Sequence, residues 1–295
     1  MVLEIEGKEI KISNPQKLLW PKQNISKADY LQCLIDLAPY ILPHCKNHLL
    51  TTIRYPNGIS GKSFFQKNKP RYSPPWVPSK NWRDNEYILL NDLAVLLWLG
   101  NQAALEFHIS FNLAGQEDNP QNLVFDLDPS EGQTFEAVIE AALLIKKDLD
   151  QLGLKAYAKT SGASGLQIYI PVGGRYDYKT ARQINKFFAD YFSQKYPQKI
   201  TITRQVDKRE NKLYFDYLQM APGKTIIGPY SPRATPLATV ATPIEWGELE
   251  KGIKPQDFTL RNIKERLQEK EDLFAPLNQK QDLGFILKHL NLANR

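Results

Sequence analysis

Leu123, Phe125 and Leu127 alternate with Val124, Asp126 and Asp128 along residues 122–128. This period of two predicts a strand with one apolar face, stopped by Pro129 with both acids at its carboxyl end. The same kind of pattern predicts strands over 49–55, 104–109, 155–158, the stretch after 165 and 212–218, with a hairpin in residues 1–12 turning at Gly7 and Lys8. A period near 3.6 predicts helices from Ser26, as cap, to about Ala38, over 92–102, and over 134–152 ended by Gly153. A fourth helix is predicted over 180–196, with Thr180 and Gln183 at capping-box spacing and Ile184, Phe187, Phe188, Tyr191 and Phe192 on one core-facing stripe. Residues 71–86, rich in Pro and Trp, read as an extended surface loop. The segment from Leu249 onward reads as helical, with 258–274 clamped against the body.

Composition narrows the class. With 295 residues, 42% hydrophobic and 24% charged, the chain has the make-up of a soluble globular protein with a sizeable core. No apolar run nears the roughly 20 residues of a membrane span, and the first residues lack a signal-peptide core. Cys33 and Cys45 are too few for a disulfide framework or a structural zinc site, so a cytoplasmic location is expected. The net charge of +6 is unevenly spread: residues 10–80 hold eleven Lys and Arg against Asp29 and Asp36, and the remainder is net acidic. That asymmetry points to a polyanion-facing region rather than a uniformly basic surface.

The acids supply the candidate chemistry. Asp126 and Asp128 lie on one strand face roughly 6.5 Å apart, and two carboxylates aimed the same way call for a cation. A pair of divalent ions bridged by such acids serves phosphoryl and nucleotidyl transfer, although Asp-x-Asp-Pro also serves as plain turn chemistry. Asp216, set among apolar and aromatic residues in 212–218, is the natural third ligand. The loop 161–165, with two glycines and two serines, can present amides and hydroxyls to a triphosphate. Asn14, Lys17 and Lys27 surround a loop and a helix start, a place that suits a phosphate. Lys62, Lys67, Lys69 and Arg71 flank Phe64 and Phe65, a combination suited to stacking on unpaired bases beside a phosphate track. A P-loop is excluded, because two residues separate Gly58 from Gly61 where four are required.

Five stretches in order, N-P-Q-K-L-L-W-P, R-Y-P-N-G-I-S-G-K-S-F-F-Q-K-N, L-V-F-D-L-D-P, K-T-S-G-A-S-G-L-Q-I-Y-I-P and L-Y-F-D-Y-L-Q-M-A-P-G-K-T-I-I-G-P-Y-S-P-R, resemble the polymerase domain of bacterial ligase D, within the archaeo-eukaryotic primase superfamily. The resemblance covers essentially the whole chain. It implies an α/β (α+β) primase-polymerase fold, two antiparallel or mixed sheets flanked by helices around one cleft, as a single catalytic domain over 1–295. A DNA-contacting lobe would occupy about 1–115, a metal-binding core about 116–245 and a helical tail about 246–295. It further implies a primer-extending nucleotidyltransferase at gaps or broken ends in double-strand-break repair, preferring ribonucleotides.

Carried across by motif, Asp126, Asp128 and Asp216 would be catalytic and hold two Mn²⁺ or Mg²⁺ ions. Phe64, Phe65, His108, Ser161, Ser164, Arg209, Gln219 and Arg233 would meet the incoming nucleoside triphosphate. Asn14, Lys17 and Lys27 would hold the 5′-phosphate at a gap or 3′ overhang, and Arg54, Lys62 and Lys67 would contact DNA. Ku and an ATP-dependent DNA ligase, fused or separate, would be partners; the chain has no K-x-D-G ligase nucleophile. Ser164, Gln167 and Ile53 depart from the Lys, His and Lys of many relatives, which bears on nucleotide affinity and selectivity. Two rivals remain: a haloacid-dehalogenase-type phosphatase with Asp126 as nucleophile, and a DNA-end-binding module with weakened catalysis.

Overall fold

The computed structural model describes residues 2–290. The chain opens with a hairpin of β1 (Val2–Ile5) and β2 (Lys8–Lys11). Its turn falls on Glu6 and Gly7, one residue earlier than expected, since Ile5 pairs with Lys8 and both turn residues have positive φ. Two left-handed residues match the twist of the flanking strands. A second small pair, β3 (Leu18–Trp20) and β4 (Ile25–Ser26), leads into α1 (Lys27–Cys45). Ser26 caps this helix in a reciprocal box with Asp29. α1 continues well past Ala38, because Pro39 and Pro43 lie on its exposed side, where the carbonyls they leave unbonded face water.

β5 (His48–Arg54) and β6 (Phe64–Gln66) come next. The stretch read as loop contains a hairpin instead, β7 (Ser79–Trp82) and β8 (Asn85–Leu89), turning at Arg83 with φ 51°. Then follow α2 (Leu93–Asn101), capped by Asp92, and β9 (Ala104–Leu113). After β10 (Asn122–Asp128) comes α3 (Phe135–Gln151), closed by Gly153 at φ 69°. β11 (Tyr157–Thr160) starts later than predicted, and β12 (Leu166–Pro171) leads to α4 (Tyr178–Lys195). Asp177, rather than Thr180, caps α4, its carboxylate accepting the Thr180 amide at 2.7 Å. β13 (Ile200–Thr201), β14 (Leu213–Phe215), β15 (Thr225–Ile227) and β16 (Pro243–Ile244) complete the strands; α5 (Trp246–Glu250), α6 (Ile263–Lys270) and α7 (Gly284–His289) are the remaining helices.

The fold is α/β, built on two six-stranded sheets, and the chain forms two compact units. The first comprises Met1–Ser110, Thr225–Thr242 and Pro255–Asp272. Its sheet runs β15-β9-β5-β8-β7, with β6 paired to β5. Gly100 lets α1 and α2 approach closely, since a Cβ there would stand 2.6 Å from Leu34 Cδ1. The second comprises Phe111–Lys224, Pro243–Lys254 and Leu273–Arg295, around the order β13-β14-β10-β12-β11-β16. Residues 225–242, expected with the metal-binding core, therefore join the first unit through β15, and the tail divides between both. Phe258 and Phe274, at the two ends of the expected clamp, are buried, one in each unit.

One face of the second sheet is a closed aromatic core. Phe125 lies 5.1 Å from Phe188 of α4 and 4.9 Å from Phe215 of β14, ring centre to ring centre. Strand alternation then turns Asp126 and Asp128 to the opposite face. Burying Phe125 on one side fixes where the acids on the other side must point.

Candidate active site

Two of the acids lie on β10 and the third just past the end of its neighbour β14. β10 and β14 are antiparallel, with Leu127 opposite Phe215 and Asp128 opposite Tyr214. The backbone extends that register by one residue, Asp216 N–H donating to the Asp126 carbonyl at 2.9 Å. Asp216 is not inside a strand as expected. It follows β14 and caps a short 3-10 turn, its Oδ1 accepting from the Leu218 amide at 3.0 Å and the Tyr214 hydroxyl at 3.1 Å. On the other flank, Gln167 of β12 stands opposite Asp126 and donates to its Oδ1 at 3.1 Å. Lys159 of β11 stands opposite Gln167, so a row of buried Lys159, buried Gln167 and half-buried Asp126 crosses the sheet.

Electrostatics here is one-sided. Burial, then the Asp128 charge, push the Asp126 carboxyl up to about 7; the Gln167 hydrogen bond opposes the rise and Asp216 adds to it. Asp128 is raised as well, by burial and then by Asp216, against the pull of Arg209. Among the described residues no group of three or more His, Cys, Asp or Glu side chains stands ready to hold a metal ion. The donor chemistry nevertheless fits a hard cation: all oxygen, mutually repelling and partly desolvated. Mg²⁺-type sites use one or two carboxylates and draw their other ligands from substrate phosphate and water, so they need no preformed protein cage.

Beside Asp128 and Asp216 lies a hollow of about 470 Å³ lined also by Arg182, Arg204, Arg209, Tyr214, Gln219 and Lys224. Arg209 is fixed over the Tyr214 ring at 3.9 Å, with its Nε on the Thr203 carbonyl and an amino group on that of Arg204. Gln219 lies in the 3-10 turn after Asp216. The loop before β12 closes on Ser161, whose Oγ accepts the Gly165 amide at 3.0 Å and the Ala163 amide at 3.2 Å. A Cβ on Gly165 would sit 2.8 Å from the Leu127 carbonyl and 3.3 Å from Asp128 Oδ1, so this loop lies directly against the acids. Ser164 is exposed at its tip.

His108 and Arg233 belong to the first unit, where a carboxylate ties them together. Glu106 Oε2 meets His108 Nε2 at 2.9 Å and an Arg233 amino group at 3.0 Å, while Oε1 accepts the Ala234 amide at 3.1 Å. Burial alone would raise the Glu106 carboxyl, but the His108 hydrogen bond and the Arg233 charge outweigh it and hold it below its ordinary range. Phe64 and Phe65 on β6 are both exposed, Phe65 by 70%, and the Arg54 guanidinium stands 5.3 Å over the Phe64 ring. Lys62 and Lys67 are exposed on either side of that strand.

Asn14 takes a left-handed turn, and Lys17 donates to the Pro56 carbonyl at 2.9 Å. Lys27 is no surface residue: it is buried, donating to the Ser13 carbonyl at 2.6 Å and the Asn101 carbonyl at 2.9 Å. Burial, then the charges of Lys17 and Arg54, lower its pKa. Lys17, Lys27 and Arg54 form no ion pair with an acid among the described residues.

Glu106, Lys159, Arg182 and Arg204 were not singled out from the sequence. Glu106 and Lys159 carry a faint signal, each a charged residue inside an apolar run; Arg182 and Arg204 carry none.

A family model described as LigD, primase-polymerase domain, matches residues 26–274. A bifunctional non-homologous end joining protein LigD of Bacillus subtilis is 40% identical over 260 residues, covering 88% of this chain and 42% of that protein. A multifunctional non-homologous end joining protein LigD of Mycolicibacterium smegmatis is 30% identical over 280 residues, covering 91% and 36%. Among solved structures, the polymerase domain from Mycobacterium tuberculosis ligase D in complex with DNA superposes with a TM-score of 0.83 at 28% identity, over 91% of this chain and 98% of that one. The chain thus spans less than half the length of these curated relatives.

Proposed function

Because the chain belongs to the LigD primase-polymerase domain family, we propose that it extends a DNA primer at gaps or broken ends, transferring nucleotides, with ribonucleotides preferred, from a triphosphate to the 3′-hydroxyl. The observation that carries this reading is the convergence of Asp126, Asp128 and Asp216 beside a cation-lined hollow, with the Asp126 carboxyl raised to about 7.

Asp126, Asp128 and Asp216 would hold two Mn²⁺ or Mg²⁺ ions. Bound there, such ions activate the primer hydroxyl and neutralise the triphosphate and the departing pyrophosphate. The protein's own contribution is positional. Gln167 orients the Asp126 carboxylate, and Tyr214 and the Leu218 amide fix one oxygen of Asp216. Ser161, Ser164, Arg209 and Gln219 of the second unit are proposed nucleotide-binding residues, and within the first unit the same role is proposed for Phe64, Phe65, His108 and Arg233. Arg54, Lys62 and Lys67 take DNA, and Asn14, Lys17 and Lys27 take its 5′-phosphate, where charge without a compensating acid favours an anion.

Sealing of the joined strand is assigned to an ATP-dependent ligase, fused or separate, and recruitment to the broken end to Ku. The work would be done in the cytoplasm, at the nucleoid. No helix among the described residues is long and apolar enough to cross a membrane.

Primer extension on a gapped duplex carrying a 5′-phosphate, comparing ribo- with deoxynucleotides and Mn²⁺ with Mg²⁺, tests the proposal. Asp126→Ala or Asp128→Ala abolishes incorporation while DNA binding survives. Substantial extension by either purified variant defeats the assignment. Phosphate-dependent DNA binding by the wild type without extension marks the end-binding module. Phosphate release from a monoester, with no pyrophosphate from nucleotide and primer, marks the phosphatase.

A further inference from the structure

Several lysines of the second unit are held by acids. Lys146 with Asp150, Lys186 with Asp190, Lys195 with Asp148, Lys199 with Glu140 and Lys254 with Glu136 all form ion pairs. Arg182 and Arg204 differ from these lysines. Both are exposed, both line the hollow beside Asp128 and Asp216, and neither has an acidic partner among the described residues. Arg182 sits on α4, where Lys186 and Lys195 are ion-paired.

The hollow needs charge at that point. Residues 161–165, which lie against Asp128, contain no cation; of the hollow's other cations, Arg209 is already committed to the Thr203 and Arg204 carbonyls and the Tyr214 ring, and Lys224 offers a single ammonium. A triphosphate carries several negative charges, and divalent ions shared with three carboxylates would leave part of that charge uncompensated. Guanidinium groups grip such oxygens in pairs and do not lose their charge on desolvation.

We infer that Arg182 and Arg204 hold the outer phosphates of the incoming nucleotide, supplying the charge that the Ser161–Gly165 loop lacks. The inference rests on the proposed function for its substrate and identifies two further specificity-determining residues for that reaction. The alternative source of the same chemistry is the DNA backbone, and the kinetics separate the two.

The test uses the full chain with Arg182→Gln, Arg204→Gln and the double variant, each checked for an unchanged melting temperature. With saturating gapped duplex and Mn²⁺, the double variant raises KM for the nucleotide about tenfold or more, the scale of losing one or two charge-assisted hydrogen bonds, while kcat changes less. Inorganic tripolyphosphate competes with the nucleotide on the wild type and loses potency in parallel on the double variant, and Arg→Lys at each position restores part of it. Unchanged nucleotide KM and unchanged tripolyphosphate inhibition overturn the inference, as does a rise confined to the KM for DNA. Direct titration of tripolyphosphate into wild type and double variant decides the matter even if the wild type fails to extend primers, an outcome that would count against the proposed function alone: weaker binding to the double variant upholds the inference, and equal binding overturns it.

Discussion

Buried beside Asp128 and Asp216, the Asp126 carboxyl holds its proton up to about 7, whereas the ordinary value for the group is 3.8. Between those values the native protein keeps a proton that the unfolded chain has released. The sign follows: this group's contribution to stability is most favourable below the unfolded value and declines as pH rises through about 7 in metal-free protein. A divalent cation binds the ionised form, so its stabilising effect grows over the same interval. Thermal melts at about pH 5 and about pH 8, with and without Mn²⁺, check this: the Mn²⁺-induced rise in Tm is larger at the higher pH, and Asp126→Asn removes most of the difference. A Mn²⁺ effect of equal size at both pH values would refute it. Asp126 and Asp128 were legible because a strand's alternation exposes an acid on an otherwise apolar pattern. Glu106 was not, since what matters about it is that it joins His108 to Arg233, and Arg233 lies far along the sequence. Lys27 was read for its charge but not for its burial, because a lysine at a helix start looks the same whether its ammonium meets water or the carbonyls of Ser13 and Asn101.

Elements were legible where side-chain period decides them and less so at their ends. The apolar stripe of α4 was read from the sequence, but its start was misplaced: Thr180 and Gln183 have capping-box spacing, yet Asp177 makes the cap and adds the first residues of the helix. The hairpin of β7 and β8 was hidden among prolines and tryptophans that resemble a loop, and only cross-strand packing such as Trp82 on Tyr87 reveals it. The turn between β11 and β12 was recognised by its glycines, but not the reason for the second one. Gly165 lies against the carbonyl of Leu127 and the carboxylate of Asp128, so a methyl group there must displace the end of β10. Gly165→Ala therefore lowers nucleotide incorporation by about a hundredfold, as expected when reacting groups shift by about 1 Å. Urea denaturation registers about 1–3 kcal/mol, the usual cost of an overpacked contact. Paired measurement of kcat and the urea midpoint checks the prediction, and a stability loss with full kcat would show that the loop moves without moving Asp128.

Across the whole molecule the charge pattern was legible and the connectivity was not. The excess of Lys and Arg over residues 10–80, read from the sequence as polyanion-facing, falls within the first unit. That residues 225–242 return to this unit depends on β15 pairing with β9, a long-range match that neither local period nor composition records. Two kinds of nucleic-acid contact are proposed within this unit, and they would respond differently to salt. Lys17 is a cation near Lys27 and Arg54 with no acid between them, so its contribution comes from releasing counterions from a phosphate. Phe65, 70% exposed on β6, can contribute only by stacking, which salt barely affects. On a gapped duplex with a 5′-phosphate, Lys17→Ala flattens the plot of log affinity against log salt by about 0.7–0.9, one phosphate contact, and reduces the preference for the phosphorylated end. Phe65→Ala weakens binding to the unpaired template by about 1–3 kcal/mol and leaves the slope unchanged. Lys27 is the poorer choice for this experiment, since its ammonium also ties Ser13 to Asn101 and its loss disturbs the fold. Fluorescence anisotropy over a salt series gives both quantities, and a Phe65→Ala variant that changes the slope as much as Lys17→Ala would show that the two residues do not divide the work in this way.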